Sequence, residues 1–308
     1  MKKAFTLIEL IFVIVILAVI SIFAAKILTK IYDEYLMTRA VNELQTKTEL
    51  TLNKLAALLQ YRIKPTVIAR RLPPNDTNIT ALQNADDNYE ILEWISYDFE
   101  GFRGGFDSTK NIYTPGWSGF VDLDSAETNA TSIKTPGSSL SVADAIISQL
   151  SGGNASLTLG NVGLIFKGIP AGFNVVNYGW NDYSGAINNS YVENVSCPAP
   201  CTDRLILTEP VPAGGRNVSE QYYLAWTAYA VVPQAGTNGL SNLLLFYNYR
   251  PWAGESYQDT QTLSALLCEG VSVFKFKQVD RVIRLKLCLT KSVTPDYNIT
   301  FCKEKAVY

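Results

Sequence analysis

Residues Phe5 to Ala25 form an apolar run interrupted by a single charge, Glu9. At about 1.5 Å per residue, some twenty helical residues span a hydrocarbon core of about 30 Å. The run is therefore a candidate membrane span, and the rest of the chain has to be arranged around it. Lys2 and Lys3 precede it, which favours a cytoplasmic N-terminus and a C-terminal bulk outside; Lys26 and Lys30 on the far side weaken that asymmetry. A carboxylate within a membrane helix is costly unless it is paired, so Glu9 belongs near the interface or at a functional position. Two general readings fit such a start. One is an uncleaved signal anchor with an interfacial Glu. The other is a secretory signal cut after the apolar stretch, at Ala24-Ala25.

The residues around Glu9 add a third reading. Met1-Lys2-Lys3-Ala4 is a short basic leader ending in a small residue, followed by Phe5-Thr6-Leu7-Ile8-Glu9 and the apolar helix. This segment resembles the signal of type IV prepilins over about the first 25 residues. The resemblance implies cleavage between Ala4 and Phe5 by a prepilin peptidase, N-methylation of Phe5, and an assembly role for Glu9. Such proteins usually carry Gly before the cut, where this chain has Ala4. In the implied filament, Glu9 of one subunit neutralises the new amine at Phe5 of a neighbour, and two charges that are costly alone become tolerable as a pair.

The helical pattern continues beyond the membrane. Leu28, Ile31, Tyr35, Val41, Leu44, Leu52, Leu55 and Leu59 recur mostly at three- and four-residue steps, which makes one apolar stripe. Neither Pro nor Gly occurs between Phe5 and Lys64, and Pro65 ends the run. The expectation is a helix over residues 5–64, about 85 Å long, with 5–25 in the membrane. A coiled coil is the rival for such a stripe, but the repeat is irregular over few heptads.

From residue 65 to 308 the composition turns to Asn, Thr, Ser, Gly and Tyr, and short strands are expected between turn clusters. These are Tyr89 to Phe99, Leu157 to Phe166, Phe173 to Tyr178, Arg204 to Thr208, Gln221 to Val232, Asn242 to Tyr249, Val271 to Lys277, Val282 to Leu289 and Ile299 to Cys302. In Gln221 to Val232, Tyr223, Ala225, Thr227, Tyr229 and Val231 fall on one face. In Val271 to Lys277, Val271 and Val273 alternate with Phe274 and Phe276. One short helix is expected at Val142 to Leu150, with Ser141 and Asp144 as a capping box. Loops are expected around Gly101 to Gly119 and Cys197 to Arg216, and the head allows an insertion around 100–220. The strings Leu243 to Trp252 and Leu266 to Phe276 resemble the final sheet of J-type minor pseudopilins and large minor pilins. A generic antiparallel sheet is the alternative.

The chain has no histidine, which removes the usual general base near neutral pH and the commonest metal ligand. A net charge of -2 gives no basic footprint for nucleic acid. Cys197 and Cys201 can close a tight loop; zinc is the rival, but two thiols without histidine are an incomplete ligand set. Cys288 and Cys302 fall nearly opposite each other if their strands pair, within disulfide reach. Cys268 is then left as a buried small hydrophobe. Three Asn-x-Thr sequons carry an acid two positions before the Asn: Asp76 before Asn78, Glu127 before Asn129 and Asp296 before Asn298. This longer pattern resembles the acceptor site of bacterial oligosaccharyl transfer; chance is its rival, because Asn and Thr are abundant. Asp86-Asp87 and Asp122 with Asp124 lack the spaced loop of a calcium site. Gly101-Phe102-Arg103-Gly104-Gly105 lacks the Lys-Ser/Thr of a phosphate loop.

The expectation is an α+β, type IV pilin-like protein: leader 1–4, a long N-terminal helix 5–64 and an antiparallel β-rich head 65–308. The resemblance implies a minor pilin or pseudopilin that assembles into or primes a type IV pilus or a type II secretion pseudopilus. The residues show no catalytic constellation, so no enzyme activity, cofactor or metal is expected; a membrane-anchored envelope enzyme is the rival, and it would need clustered acids in a deep cleft. The partners of a pilin would be other pilin subunits, the prepilin peptidase and an inner-membrane assembly platform, with no nucleic acid. The chain would cross the bacterial inner membrane once, head outside the cytoplasm, and enter a periplasmic or surface filament. A filament-presented adhesin or DNA-uptake module is the alternative.

Overall fold

The computed structural model describes residues 7–107, 111–168, 173–180, 188–208, 219–294 and 297–308. Helix α1 (Leu7–Gln60) is 54 residues long, or about 80 Å. The expected end at residue 64 is corrected. Past Gln60 the backbone leaves the helix because the sheet takes over its hydrogen bonds. Ile63 N donates to Ile95 O at 2.9 Å and Tyr97 N to Tyr61 O at 3.0 Å. Lys64–Thr66 then form one 3-10 turn with Pro65 in its first positions.

The first part of the head holds β1 (Ile68–Arg70), β2 (Ile79–Ala81), β3 (Ile91–Ser96), α2 (Phe99–Arg103), β4 (Gly105–Asp107) and β5 (Ile112–Thr114). There follow β6 (Ser132–Lys134), α3 (Leu140–Leu150), β7 (Val162–Phe166), β8 (Glu193–Ser196), β9 (Arg204–Leu207) and β10 (Tyr222–Ala225). The chain closes with β11 (Thr227–Ala235), β12 (Ser241–Tyr249), β13 (Leu263–Val279), β14 (Val282–Thr294) and β15 (Tyr297–Val307). The fold is α+β. An eight-stranded sheet has the order β15-β14-β13-β12-β11-β3-β1-β2, a second sheet β10-β7-β8-β9-β6, and β4 and β5 form a small hairpin. All three are antiparallel.

The expected continuous strand from Gln221 to Val232 is two strands in different sheets. β10 pairs with β7, whereas β11 pairs with β3 and β12, and Trp226 sits between them. The single-face alternation breaks there because Trp226 is itself buried in the core of the second sheet. Phe173 to Tyr178 is not a strand: Val175–Tyr178 form a 3-10 turn capped by Asn174, whose Oδ1 accepts from Val176 N. Gly179 ends it at φ +88°, with its backbone pressed so closely on Trp252 that a Cβ would lie 2.4 Å from that Cα.

Helix α3 starts at Leu140, and the expected capping box is absent. Its N-cap is Ser139, whose hydroxyl donates instead to Asp107 Oδ2 at 2.7 Å. Asp144 accepts from Thr158 N and Oγ1, so both members of the proposed box are otherwise engaged or displaced. The alternation expected in β13 also shifts. A bulge between Val271 and Val273, following Gly270 at φ +73°, buries Val271 and Phe274 together. The loops expected at 101–119 and 197–216 contain α2, β4, β5 and β9.

Three apolar clusters fill the head. One lies between α1 and the eight-stranded sheet, around Leu52, Leu55, Leu59, Trp94 and Leu287. A second lies under α3 and the five-stranded sheet, around Trp117, Ile147 and Leu164. The third joins the sheets through Ile68, Ile165, Trp180 and Trp252.

Candidate assembly surface

Helix α1 is divided by its surroundings. Every residue from Leu7 to Tyr35 is exposed, including Leu7 at 78%, Phe12 at 63% and Phe23 at 62%. This half is long and apolar enough to cross a membrane. Glu9 lies in its first turn, where the orphaned backbone N–H groups favour a negative charge.

The second half is sewn to the head. Ala40, Leu44, Thr48, Thr51, Leu52, Leu55 and Leu59 are buried, at steps that keep them on one side of the helix. Leu28, Ile31, Tyr35 and Val41, expected in the same stripe, are exposed, so the stripe meets the head only from about Ala40 onward. Polar contacts frame this seam. Lys291 on β14 bonds Glu43, Lys303 on β15 pairs with Glu49 at 3.0 Å, and Lys305 donates to Asn53 Oδ1 at 3.0 Å. The Lys291 and Lys47 ammonium groups hold the Glu43 carboxyl down at about 2. At the helix base, Arg62 donates to Leu59 O at 2.7 Å, Arg281 O at 3.3 Å and Tyr308 O at 3.4 Å.

Ala4 and Phe5 lie outside the described residues, as do Asp296 and the leader. Cys197 and Cys201 are joined by a disulfide with Cα atoms 5.0 Å apart. Cys288 and Cys302 face each other across β14 and β15 and are joined with Cα atoms 4.0 Å apart. Cys268 is a buried free thiol whose pKa is pushed up to about 11 by desolvation. Asn78, Asn129 and Asn298 are all exposed. The acids considered for calcium are used in local turns: Asp86 accepts from Asn88 N and Nδ2, and Asp122 from Asp124 N. Among the described residues there is no group of three or more His, Cys, Asp or Glu placed to hold a metal ion.

Two features of the head were not legible in the sequence. Asp98 is buried at the α2 N-cap, where desolvation pushes its pKa up to about 7 although Gly101 N and Trp117 Nε1 both donate to its carboxylate. Arg70, Glu93 and Tyr249 form a buried polar network. They lie 23 and 156 positions apart along the chain, and nothing local to Arg70, Glu93 or Tyr249 gives a hint of its partner. A polar surface cavity of about 510 Å³ is lined by Arg250, Glu255, Gln258 and neighbours, but its one cation is already engaged in an ion pair with Glu255.

No curated protein and no solved structure matches the chain. Residues 1–25 match the family model described as the prokaryotic N-terminal methylation motif, so the chain carries a prepilin-type N-terminus ahead of an α+β, disulfide-bonded head, an arrangement that supports a type IV pilin-like protein.

Proposed function

We propose that the chain is a minor pilin or pseudopilin, cleaved between Ala4 and Phe5, methylated at Phe5 and built into or priming a type IV pilus or a type II secretion pseudopilus. One observation carries this reading: α1 projects an apolar, exposed half with Glu9 in its first turn, while its other half is fixed to the head. An exposed apolar surface of this extent needs either lipid or other helices around it. A membrane stores it before assembly, and sister helices cover it afterwards. Glu9 then meets the Phe5 amine of a neighbour and sets the axial register. Its partners are other pilin subunits, the prepilin peptidase and an inner-membrane assembly platform, and its head lies outside the cytoplasm. The role is structural rather than enzymatic. The size of the head favours a minor subunit near a tip, where a bulky domain meets fewer neighbours.

The test is the N-terminal mass of the protein isolated from membranes, with and without an active prepilin peptidase. A terminus at Phe5 carrying one methyl is expected, and Glu9→Ala is then expected to leave processing intact while reducing incorporation into filaments. A chain still starting at Met1, or cut after Ala25, overturns the reading.

A further inference from the structure

We infer that Asn129 is an acceptor for N-linked glycosylation of the folded head, and that Asn78 and Asn298, which share its sequence pattern, are not. The inference goes beyond the filament reading and requires only that the head lie outside the cytoplasm.

A transferase has to grip the Asn carboxamide and the hydroxyl residue two positions on at the same time. At Asn129 these groups are already together in an exposed turn. Asn129 N donates to Ser132 O at 2.8 Å, closing the turn. The carboxamide Oδ1 accepts from Thr131 N at 2.9 Å, Thr131 Oγ1 at 3.0 Å and Ser132 N at 3.1 Å. Among the described residues none accepts from Nδ2, so the nucleophilic end of the amide is left to solvent while its oxygen is held. Asn129, Ala130 and Thr131 are all exposed. They precede β6, one of the two edge strands of the five-stranded sheet, and beyond the turn itself their single tie to the sheet is Leu207 N donating to Thr131 O at 2.9 Å, among the described residues.

The two companion sequons sit in ladders. Ile79 and Thr80 are in β2 and pair with Arg70 and Ala69. Asn298, Ile299 and Thr300 are in β15 and pair with Ser292, Lys291 and Thr290, and the Thr300 hydroxyl is hydrogen-bonded to that of Thr290 at 2.7 Å. Bending either one around an enzyme breaks sheet hydrogen bonds. The sequon at Asn194 is worse placed, since its Oδ1 is buried within β8. At Asn188, among the described residues, only Ser190 N reaches the carboxamide, and the position two before it is Ala186 rather than an acid.

In the transfer, Asn129 Nδ2 attacks the anomeric carbon of a polyprenyl-diphosphate-linked oligosaccharide. An N–C bond forms, the C–O bond to the diphosphate breaks, the lipid diphosphate departs with the electron pair, and one amide proton is released to solvent.

The experiment incubates the purified full chain in detergent with a bacterial oligosaccharyltransferase and a polyprenyl-diphosphate-linked oligosaccharide, then maps glycopeptides by mass. One saccharide at Asn129 is expected. Thr131→Val is expected to abolish transfer while the buried Cys268 thiol stays unreactive toward iodoacetamide, which reports that the head is still folded. Asn78→Gln and Asn298→Gln are expected to leave it unchanged. A bare Asn129, or transfer to Asn78 or Asn298 in its place, overturns the inference. Either result leaves the filament reading standing, because that is judged separately from the Phe5 terminus of the same sample.

Discussion

The Trp117 indole donates from Nε1 to the Asp98 carboxylate at 3.1 Å, in the interior of the head where the two sheets meet. Asp98 N donates in turn to Leu224 O on β10, so the residue ties the end of β3 and the start of α2 to the second sheet. Burial pushes the Asp98 carboxyl up to about 7 from its ordinary 3.8. The folded state therefore holds a proton that the unfolded state releases between those values. Stability is expected to fall as pH rises through this window, with a slope approaching about 1.4 kcal/mol per pH unit, and to level above it. Thermal unfolding of the full chain in detergent between pH 4 and 8 measures this. Asp98→Asn removes the titration and should flatten the profile; an unchanged slope in that variant would assign the effect elsewhere.

Leu55 and Leu50 lie one and a half turns apart on α1, yet Leu55 is 0% exposed and Leu50 is 64% exposed. Leu55→Ala leaves a cavity between the helix and β14–β15 and should cost about 2–5 kcal/mol. Leu50→Ala should leave head stability nearly unchanged. Denaturant titration of both variants tests the division of α1 into a packed and a free face. Equal losses would contradict it.

The Arg70 guanidinium donates to Glu93 in the core, and Tyr249 Oη donates to the other carboxylate oxygen at 2.9 Å. Burial, with the Glu93 charge beside it, holds the Tyr249 hydroxyl well above its ordinary pKa, so it remains a donor. Removing the negative partner should be the harsher change. Glu93→Gln removes the buried carboxylate charge that Arg70 and Tyr249 both engage and is expected to cost about 3–5 kcal/mol. Tyr249→Phe removes one hydrogen bond and should cost nearer 1–2 kcal/mol. The ranking is read from chemical denaturation, and the reverse order would argue that Arg70 is compensated by other groups.

The cysteines give a chemical readout. Cys268 is buried with its thiol pKa raised to about 11. The native protein should take up no iodoacetamide at pH 8, and the unreduced but denatured protein should take up one equivalent. Loss of the Cys288–Cys302 bond, which spans 14 positions, should cost about 3 kcal/mol. Loss of the Cys197–Cys201 bond, which spans 4, should cost about 2 kcal/mol, since the entropy removed grows with the loop. Unfolding midpoints of the two Cys→Ser pairs check the order.

What could be read from the residues alone follows from how local the signals are. α1 announces itself by its apolar spacing and by the absence of Gly and Pro, features that no distant contact alters. The hairpin of β14 and β15 was legible because Cys288 and Cys302 flank a turn signal at matching distances. Gln221 to Val232 misled because its alternation is continuous in sequence, while the sheets it serves change at Trp226. Ser141 and Asp144 have capping chemistry, but Ser139 and Asp107, 32 positions apart, settle where α3 starts. The exposed upper stripe of α1 was unreadable for a different reason: the apolar pattern states what should be covered, not whether the same chain covers it. The sequons at Asn78, Asn129 and Asn298 look alike in sequence and differ in how much of each is paired in a strand, which only the distant partner strands decide.

The contacts of Arg62 with Arg281 and Tyr308, together with the buried Val307, bring the last residues of the chain to the base of the first helix. β15, the final strand, lies along α1 and is held there by Lys303 and Lys305. A pull along the helix axis thus loads the final strand in shear, across several contacts at once, instead of peeling them one by one from a free end. Under axial load the head and its shaft are therefore coupled along the whole packed half of α1.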